Sequence, residues 1–314
     1  MRAIDELGLP EGRWVDVNGP VHYREWDGPG DGPTFVLVHG LGGSLLNWAL
    51  VAPGLARRGR VLAMDLAGFG LTPAAGRGSS VTANWRLLDG FLKALDLPRV
   101  IMVGNSMGGM LTLIQSAHVP ATLERMVLVD AAFPRAKIGS APQPAPRVAL
   151  LFGLYATGRV GERLVSARAR RLGAEGLVRE TLRVCATDPS AIDSRLVAAL
   201  VDQAAHRLDV EEATPAFLAA ARSIFRSQAF PAKYRELVRQ ASTPALVVHG
   251  RDDQLIPLAS AEAAVRGHDN WRLEILDGLG HIPQMEAPQR WLEAVEPWLD
   301  EPFDAEAEPS ERPA

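Results

Sequence analysis

Cysteine is almost missing from this chain. Cys185 is the single one in 314 residues, so no internal disulfide can form; far in sequence from the motifs below, it reads as a small buried side chain. Long apolar runs are missing too. A bilayer needs about 18 residues, and the longest candidate, Val148 to Ala156, is too short. The opening residues, Met1-Arg2-Ala3-Ile4-Asp5-Glu6, contain no apolar signal segment, so a soluble, cytoplasmic protein without an integral membrane segment is expected. Nor is there an excess of one charge. A formal net charge of −4 gives no general pull toward nucleic acid or anionic membrane, and neither is expected as a partner. No internal repeats are evident.

What is present is an ordinary globular composition, 47% apolar and 22% charged, enough for a substantial core in one large α/β domain or two small ones. Residues 13–26 alternate around Asn18-Gly19 and predict an antiparallel edge hairpin. Thr34 to Val38 is continuously apolar, as in a strand covered on both faces. A helical stretch, Leu45 to Arg57, leads to a strand, Arg60 to Leu66, and a glycine-bearing loop, Ala67 to Pro73. Helix follows over Ala83–Leu95, strand over Val100–Val103, helix to His118 and strand over Arg125–Val129. Strands alternating with helices imply a parallel sheet with right-handed crossovers.

The alternation stops between Phe133 and about Pro231. That stretch holds a proline-rich linker, 141–146, and helical segments at 148–155, 175–184, 191–207 and 215–225. A helical insertion of this length predicts a cap above the carboxyl edge of the sheet. Its arginine-rich first half reads as a solvated helix face. Strand Pro244–His249, helix Leu258–Val265, strand Trp271–Leu276 and helix Pro288–Leu299 complete the pattern. The expected organisation is a core of residues 1–132 and 232–300, a helical cap of 133–231, and an acidic, disordered tail, 301–314.

The chemistry centres on Gly104-Asn105-Ser106-Met107-Gly108-Gly109, set between an apolar strand and a helix. In such a strand–turn–helix the serine sits in a strained conformation, and glycines two residues before and after it avoid collision with the neighbouring strand and helix. The hydroxyl emerges at the strand's carboxyl end beside free backbone N–H groups. Alone, the motif is also compatible with a glycine-rich turn that only packs a helix on a sheet. A serine hydroxyl needs a base, and the base needs a carboxylate to hold its tautomer. His281, in Gly278-Leu279-Gly280-His281-Ile282-Pro283 directly after the last strand, has the required address.

The other histidines have simpler readings. His249 precedes Gly250 and is expected to point into the sheet; His39 braces the loop after it. His22, His118, His206 and His268 default to structural roles. For the acid, Gly250-Arg251-Asp252-Asp253-Gln254-Leu255-Ile256-Pro257 offers Asp253, which suits a strand-end turn best, with Asp252 in reserve. Asp130, at the end of an earlier strand, is the rival, with a loop brace as its bland alternative. Two backbone donors would hold an oxyanion: the N–H of Met107 and, from the loop His39-Gly40-Leu41-Gly42-Gly43, that of Leu41.

Taken together, His39 to Gly43, Asp65 to Pro73, Gly104 to Gly109, Gly250 to Asp253 and Gly280 to Pro288 resemble the α/β-hydrolase superfamily, in its serine–acid–histidine order and over residues 14–300. The resemblance implies a mostly parallel sheet with helices on both faces and a helical cap inserted after the sixth strand. Ser106 argues against the similar haloalkane dehalogenases and epoxide hydrolases, which carry aspartate there. The elbow is similar to that of carbon–carbon bond hydrolases, which usually carry tryptophan after the histidine, where this chain has Ile282, and whose cap arginine has no assigned counterpart here. The expectation is therefore a serine esterase of the carboxylesterase type. It would act on a small-molecule ester with an apolar acyl or alcohol part, with no metal or organic cofactor. A carbon–carbon bond hydrolase acting on a vinylogous diketo acid, or another acyl hydrolase, is the alternative, and a small-molecule receptor on the same fold a third reading.

Overall fold

The computed structural model describes residues 2–136 and 158–302. The proline-rich linker at 141–146, the helical segment expected at 148–155 and nearly all of the acidic tail lie outside the described residues. Eight strands form one sheet in the order β1-β2-β4-β3-β5-β6-β7-β8. They are β1 (Gly12–Asp16), β2 (Pro20–Trp26), β3 (Thr34–Val38), β4 (Arg60–Met64), β5 (Val100–Asn105), β6 (Leu123–Val129), β7 (Ala245–Gly250) and β8 (Trp271–Leu276). Only the pairings of β1 with β2 and of β2 with β4 are antiparallel; the other five are parallel. The β1–β2 hairpin turns at Asn18 (φ 53°) and Gly19 (φ 118°), a left-handed pair that the Asn-Gly dipeptide tolerates.

The apolar runs are unbroken because the central strands are buried on both faces. Along β3, Phe35 and Leu37 join one core layer with Val61, Ala63, Ile101, Val103 and Val127. Val36 and Val38 point the other way, to a layer with Leu62, Met64, Met102, Met126 and Val247. The two-residue period of a strand divides each run between the layers. Truncating a residue such as Phe35, fully buried, would cost about 3–5 kcal/mol.

The helices among the described residues are α1 (Arg2–Asp5), α2 (Ala52–Ala56), α3 (Val81–Ala94), α4 (Met107–His118), α5 (Gly158–Cys185), α6 (Ser194–Leu208), α7 (Ala213–Ala229), α8 (Pro231–Gln240), α9 (Leu258–Val265), α10 (Pro283–Glu286) and α11 (Pro288–Leu299). Helix α3 starts where Ser80 caps it through the N–H of Ala83. The single helix expected over Leu45–Arg57 is instead a 3₁₀ turn, Leu45–Trp48, followed by α2. Pro53 has no N–H to continue a helix across Val51, and it falls in the first turn of α2, where none is needed. Helix α5 is broken at Gly173, whose φ of 64° and ψ of −179° are not helical. Periodicity does not predict α8, which packs against α4 on the sheet's flank. Among the described residues no helix is long and apolar enough to cross a membrane.

Four of these helices, α5 to α8, lie between β6 and β7. The start of α7 rests on the loops at the carboxyl edge of the sheet. A Cβ at Gly42 would stand 3.3 Å from the ring of Phe217, and one at Gly68 would collide with Ala216.

Candidate active site

Ser106 leaves β5 at φ 55° and ψ −113°, a conformation L-residues rarely adopt. Three hydrogen bonds hold it there. Its N–H donates to Val129 O at 3.0 Å, while its carbonyl accepts from Met110 N–H at 3.1 Å and Ala132 N–H at 3.0 Å. The flanking glycines are required by proximity. A Cβ on Gly104 would lie 2.5 Å from the backbone of Gly108, and one on Gly108 would strike the carbonyl oxygen of Val38. The next loop comes equally close, since a Cβ on Gly40 would be 3.0 Å from that of Ser106. Among the described residues neither Leu41 N–H nor Met107 N–H donates to another group.

That loop is braced by His39, as its position suggests. Nε2 accepts the N–H of Leu66 at 3.0 Å, so the proton is on Nδ1, which donates to Gly40 O at 2.7 Å. Burial pulls the His39 pKa down, in keeping with this neutral tautomer. Asp65 organises the adjoining loop, accepting from Leu45 N–H at 2.8 Å, Leu71 N–H at 2.9 Å and the ring of His22 at 2.8 Å.

His281 lies 5% exposed in the loop after β8. Its Nδ1 donates to Asp253 Oδ2 at 2.7 Å. The other Asp253 oxygen accepts the N–H groups of Leu255 (2.8 Å) and Ile256 (3.1 Å). Burial works against the Asp253 charge, yet the charge and hydrogen bond of His281, then His249 and the Leu255 amide, hold its carboxyl below the usual range. The elbow and the histidine loop are tied directly. Asn105 Nδ2 donates to both Val129 O (3.1 Å) and His281 O (3.0 Å).

The two other carboxylates weighed from sequence are placed differently. Asp252 is exposed, on the solvent side of the turn. Asp130 is fully buried and accepts the N–H of Gly250 at 2.9 Å, and donor atoms of Asp130, Asp253 and His281 converge within 4.8 Å of one another. This is the group among the described residues with the right atoms to hold a metal ion, but Asp253 Oδ2 is already engaged by the His281 N–H.

Three features escape the motif reading. His249, expected merely to point into the sheet, stands 3.7 Å from Asp130 and 3.8 Å from Asp253, with Nε2 bonded to Ile256 O at 3.0 Å; burial pulls its pKa down. Cys185 is not remote. Its carbonyl accepts the His281 N–H at 2.6 Å, and burial, reinforced by Asp253 and Asp130, pushes its thiol up to about 12. Glu286 accepts from Asp188 N–H at 2.7 Å and Gly280 N–H at 3.0 Å. Its membership of the stretch Gly280 to Pro288 was the available signal, but no local pattern names its partners.

Above the site, Leu41 touches an apolar cluster from the helical insertion that includes Phe217, Leu218, Ala221, Phe225 and Val165. Arg207, near the end of α6, places its guanidinium 5.3 Å from the ring centroid of Phe69, which meets His39 edge-on at 5.8 Å. No hydrogen bond or ion pair engages this guanidinium among the described residues. Burial, opposed by Asp65, lowers its pKa.

Comparison with known proteins agrees with this architecture. The profile of the alpha/beta hydrolase fold matches residues 33–288. The 2-hydroxy-6-oxononadienedioate/2-hydroxy-6-oxononatrienedioate hydrolase of Cupriavidus pinatubonensis is 30% identical over 294 residues, covering 91% of this chain and 93% of that one. The 2-hydroxy-6-oxo-2,4-heptadienoate hydrolase of Pseudomonas putida is 29% identical, covering 86% and 90%. Among solved structures, a meta-cleavage product hydrolase from Pseudomonas fluorescens IP01 superposes with a TM-score of 0.71 at 22% identity, covering 92% of this chain and 97% of that one. With the elbow, the parallel sheet and the profile in agreement, the chain belongs to the alpha/beta hydrolase fold family.

Proposed function

We propose that this protein is a serine hydrolase that cleaves carboxylic esters through an acyl-enzyme. The observation that carries the reading is the 2.7 Å hydrogen bond from His281 to Asp253, in a loop tied to the strained serine elbow by Asn105. With its Nδ1 proton held by Asp253, the neutral imidazole leaves Nε2 free as a base. His281 takes the Ser106 proton as the oxygen attacks the ester carbonyl. The developing oxyanion is met by the N–H groups of Leu41 and Met107, and a pair of such donors is worth roughly 10²–10³-fold each in rate. His281 then protonates the departing alcohol. In the second half it activates water against the acyl-enzyme and returns the proton to Ser106 as the acid leaves. The helical insertion acts as a cap, and Leu41, Phe217, Leu218 and Phe225 supply an apolar wall for the acyl or alcohol part.

Arg207 favours a second reading. A partly buried guanidinium that makes no ion pair among the described residues, set over the loops beside the elbow, suits a substrate that brings its own carboxylate. Two of the relatives above are named as hydrolases of 2-hydroxy-6-oxononadienedioate and 2-hydroxy-6-oxo-2,4-heptadienoate, and on such a substrate the same serine and histidine would act on a carbon–carbon bond. Ile282 in place of tryptophan speaks against that reading.

One comparison tests both: a chain-length series of p-nitrophenyl esters and a 2-hydroxy-6-oxo-dienoate, with wild type and Ser106→Ala, alongside fluorophosphonate labelling. The expected result is ester turnover and labelling at Ser106, both lost in the variant. Turnover of the dienoate with little of the esters would move the assignment to the second reading. Activity retained in Ser106→Ala would remove the nucleophile from both.

A further inference from the structure

Asp130 is a buried acid that the mechanism above does not use. It sits at the end of β6 with φ 43°, fixed by its own N–H to Val248 O at 2.9 Å. One carboxyl oxygen, Oδ1, accepts the Gly250 N–H. The other, Oδ2, is buried and has no hydrogen-bond partner among the described residues. A buried oxygen in this state is costly unless it carries a proton and has an acceptor to give it to. The groups that face it are the Asp253 carboxylate, the rings of His249 and His281, Glu286 from α10, and Cys185 at the end of α5.

Two carboxylates this close inside a protein do not both ionise. The charge belongs on Asp253, which is held by two backbone N–H groups and the imidazole. Among the described residues, Asp130 has a single N–H and no cation partner at hydrogen-bond distance. Burial and the neighbouring Asp253 charge push its carboxyl well above the usual range, in line with that assignment.

We propose that Asp130 is a positioning residue that stays protonated and donates a hydrogen bond from Oδ2 to the Asp253 carboxylate. It is neither a spare acid nor a simple loop brace. The bond holds Asp253 in the orientation that receives His281 and draws off part of its negative charge. The role rests on the reading of Asp253 as the acid behind His281, while the protonation state can be measured without any turnover.

The test combines infrared difference spectroscopy with a pH profile on the full chain. At pH 7 the wild type minus Asp130→Asn spectrum should show the C=O stretch of a protonated carboxyl, and the same band should appear in the Ser106→Ala background. Asn keeps both the acceptor for Gly250 and a neutral donor toward Asp253, so Asp130→Asn should stay within about threefold of wild type in kcat/KM. Asp130→Leu should lose about tenfold or more, and the acidic limb of kcat/KM should move to higher pH as Asp253 recovers its full charge. Absence of the carboxyl band overturns the proposal. So does an Asp130→Asn defect as deep as that of Asp253→Asn, because a charged Asp130 would then be required. If the band is present but no substrate is turned over, the protonated pair stands and only the hydrolase reading fails.

Discussion

The carbonyl of Cys185 accepts the backbone N–H of His281 at 2.6 Å, so the residue carrying the imidazole hangs from the end of helix α5. Glu286 doubles the connection by accepting from Asp188 just beyond that helix and from Gly280 just before the histidine. The helical insertion and the histidine loop are therefore one hydrogen-bonded unit. Glu286→Ala leaves the buried Gly280 N–H and the part-buried Asp188 N–H without their acceptor, and should lower stability by about 1–3 kcal/mol. It should also lower kcat by about tenfold with a smaller change in KM, since the imidazole rather than the substrate pocket is released. Denaturant unfolding and steady-state kinetics on the same variant check the two effects.

Asp253→Asn keeps the size of the side chain but presents the wrong partner to Nδ1. By the reading above, kcat should fall by about 10³–10⁴-fold, and fluorophosphonate labelling of Ser106 should slow in parallel. Asp252→Asn, one residue away and exposed, should leave both rates nearly unchanged. The ranking of these two variants is the measurement that matters.

The elbow glycines should fail for steric reasons rather than chemical ones. Gly108→Ala pushes a methyl group into the carbonyl of Val38, which is held rigidly in the sheet, and should cost about 3 kcal/mol or more. Gly30→Ala, with nothing within 4 Å of its added Cβ, should change stability by less than about 0.5 kcal/mol. Melting temperatures of the two variants decide the point.

Stability should depend on pH through groups kept neutral inside. His39 and His249 have pKa values pulled down by burial, so below the ordinary histidine value of about 6.5 the unfolded chain binds protons that the folded chain refuses, and stability falls with pH. Asp130, pushed upward, acts in the opposite sense. Above the ordinary carboxylate value of about 3.9 the folded state keeps a proton that the unfolded chain has lost. Between about pH 4 and 6.5 the two tendencies partly cancel. Asp130→Asn should therefore steepen the loss of stability on acidification by up to one proton, or about 1.4 kcal/mol per pH unit. Denaturant midpoints at pH 7, 6 and 5 measure the slope.

Arg207→Gln separates the two substrate readings. For a substrate that carries a carboxylate, KM should rise by about tenfold or more, whereas neutral esters should be unaffected. Equal effects on both would assign Arg207 to packing against Phe69 alone.

Much of the framework could be read along the chain, because its causes are local. Continuous apolar runs specify strands buried on two faces, and β3 begins and ends where its run does. Glycines at 104 and 108 announce a turn too crowded for side chains, and the Asn18-Gly19 pair a left-handed hairpin turn. What local pattern could not decide was direction and distance. Asp252 and Asp253 are adjacent and chemically alike, and only the folded turn sends one outward and the other to His281. Glu286, Cys185 and His249 gained their places near the imidazole through contacts with residues far along the chain, Asp188, His281 and Asp130 respectively, that leave no periodicity behind. The proton on Asp130 is decided last of all: a carboxyl's charge depends on the water and charges around it, and these exist only once the sheet has closed over it.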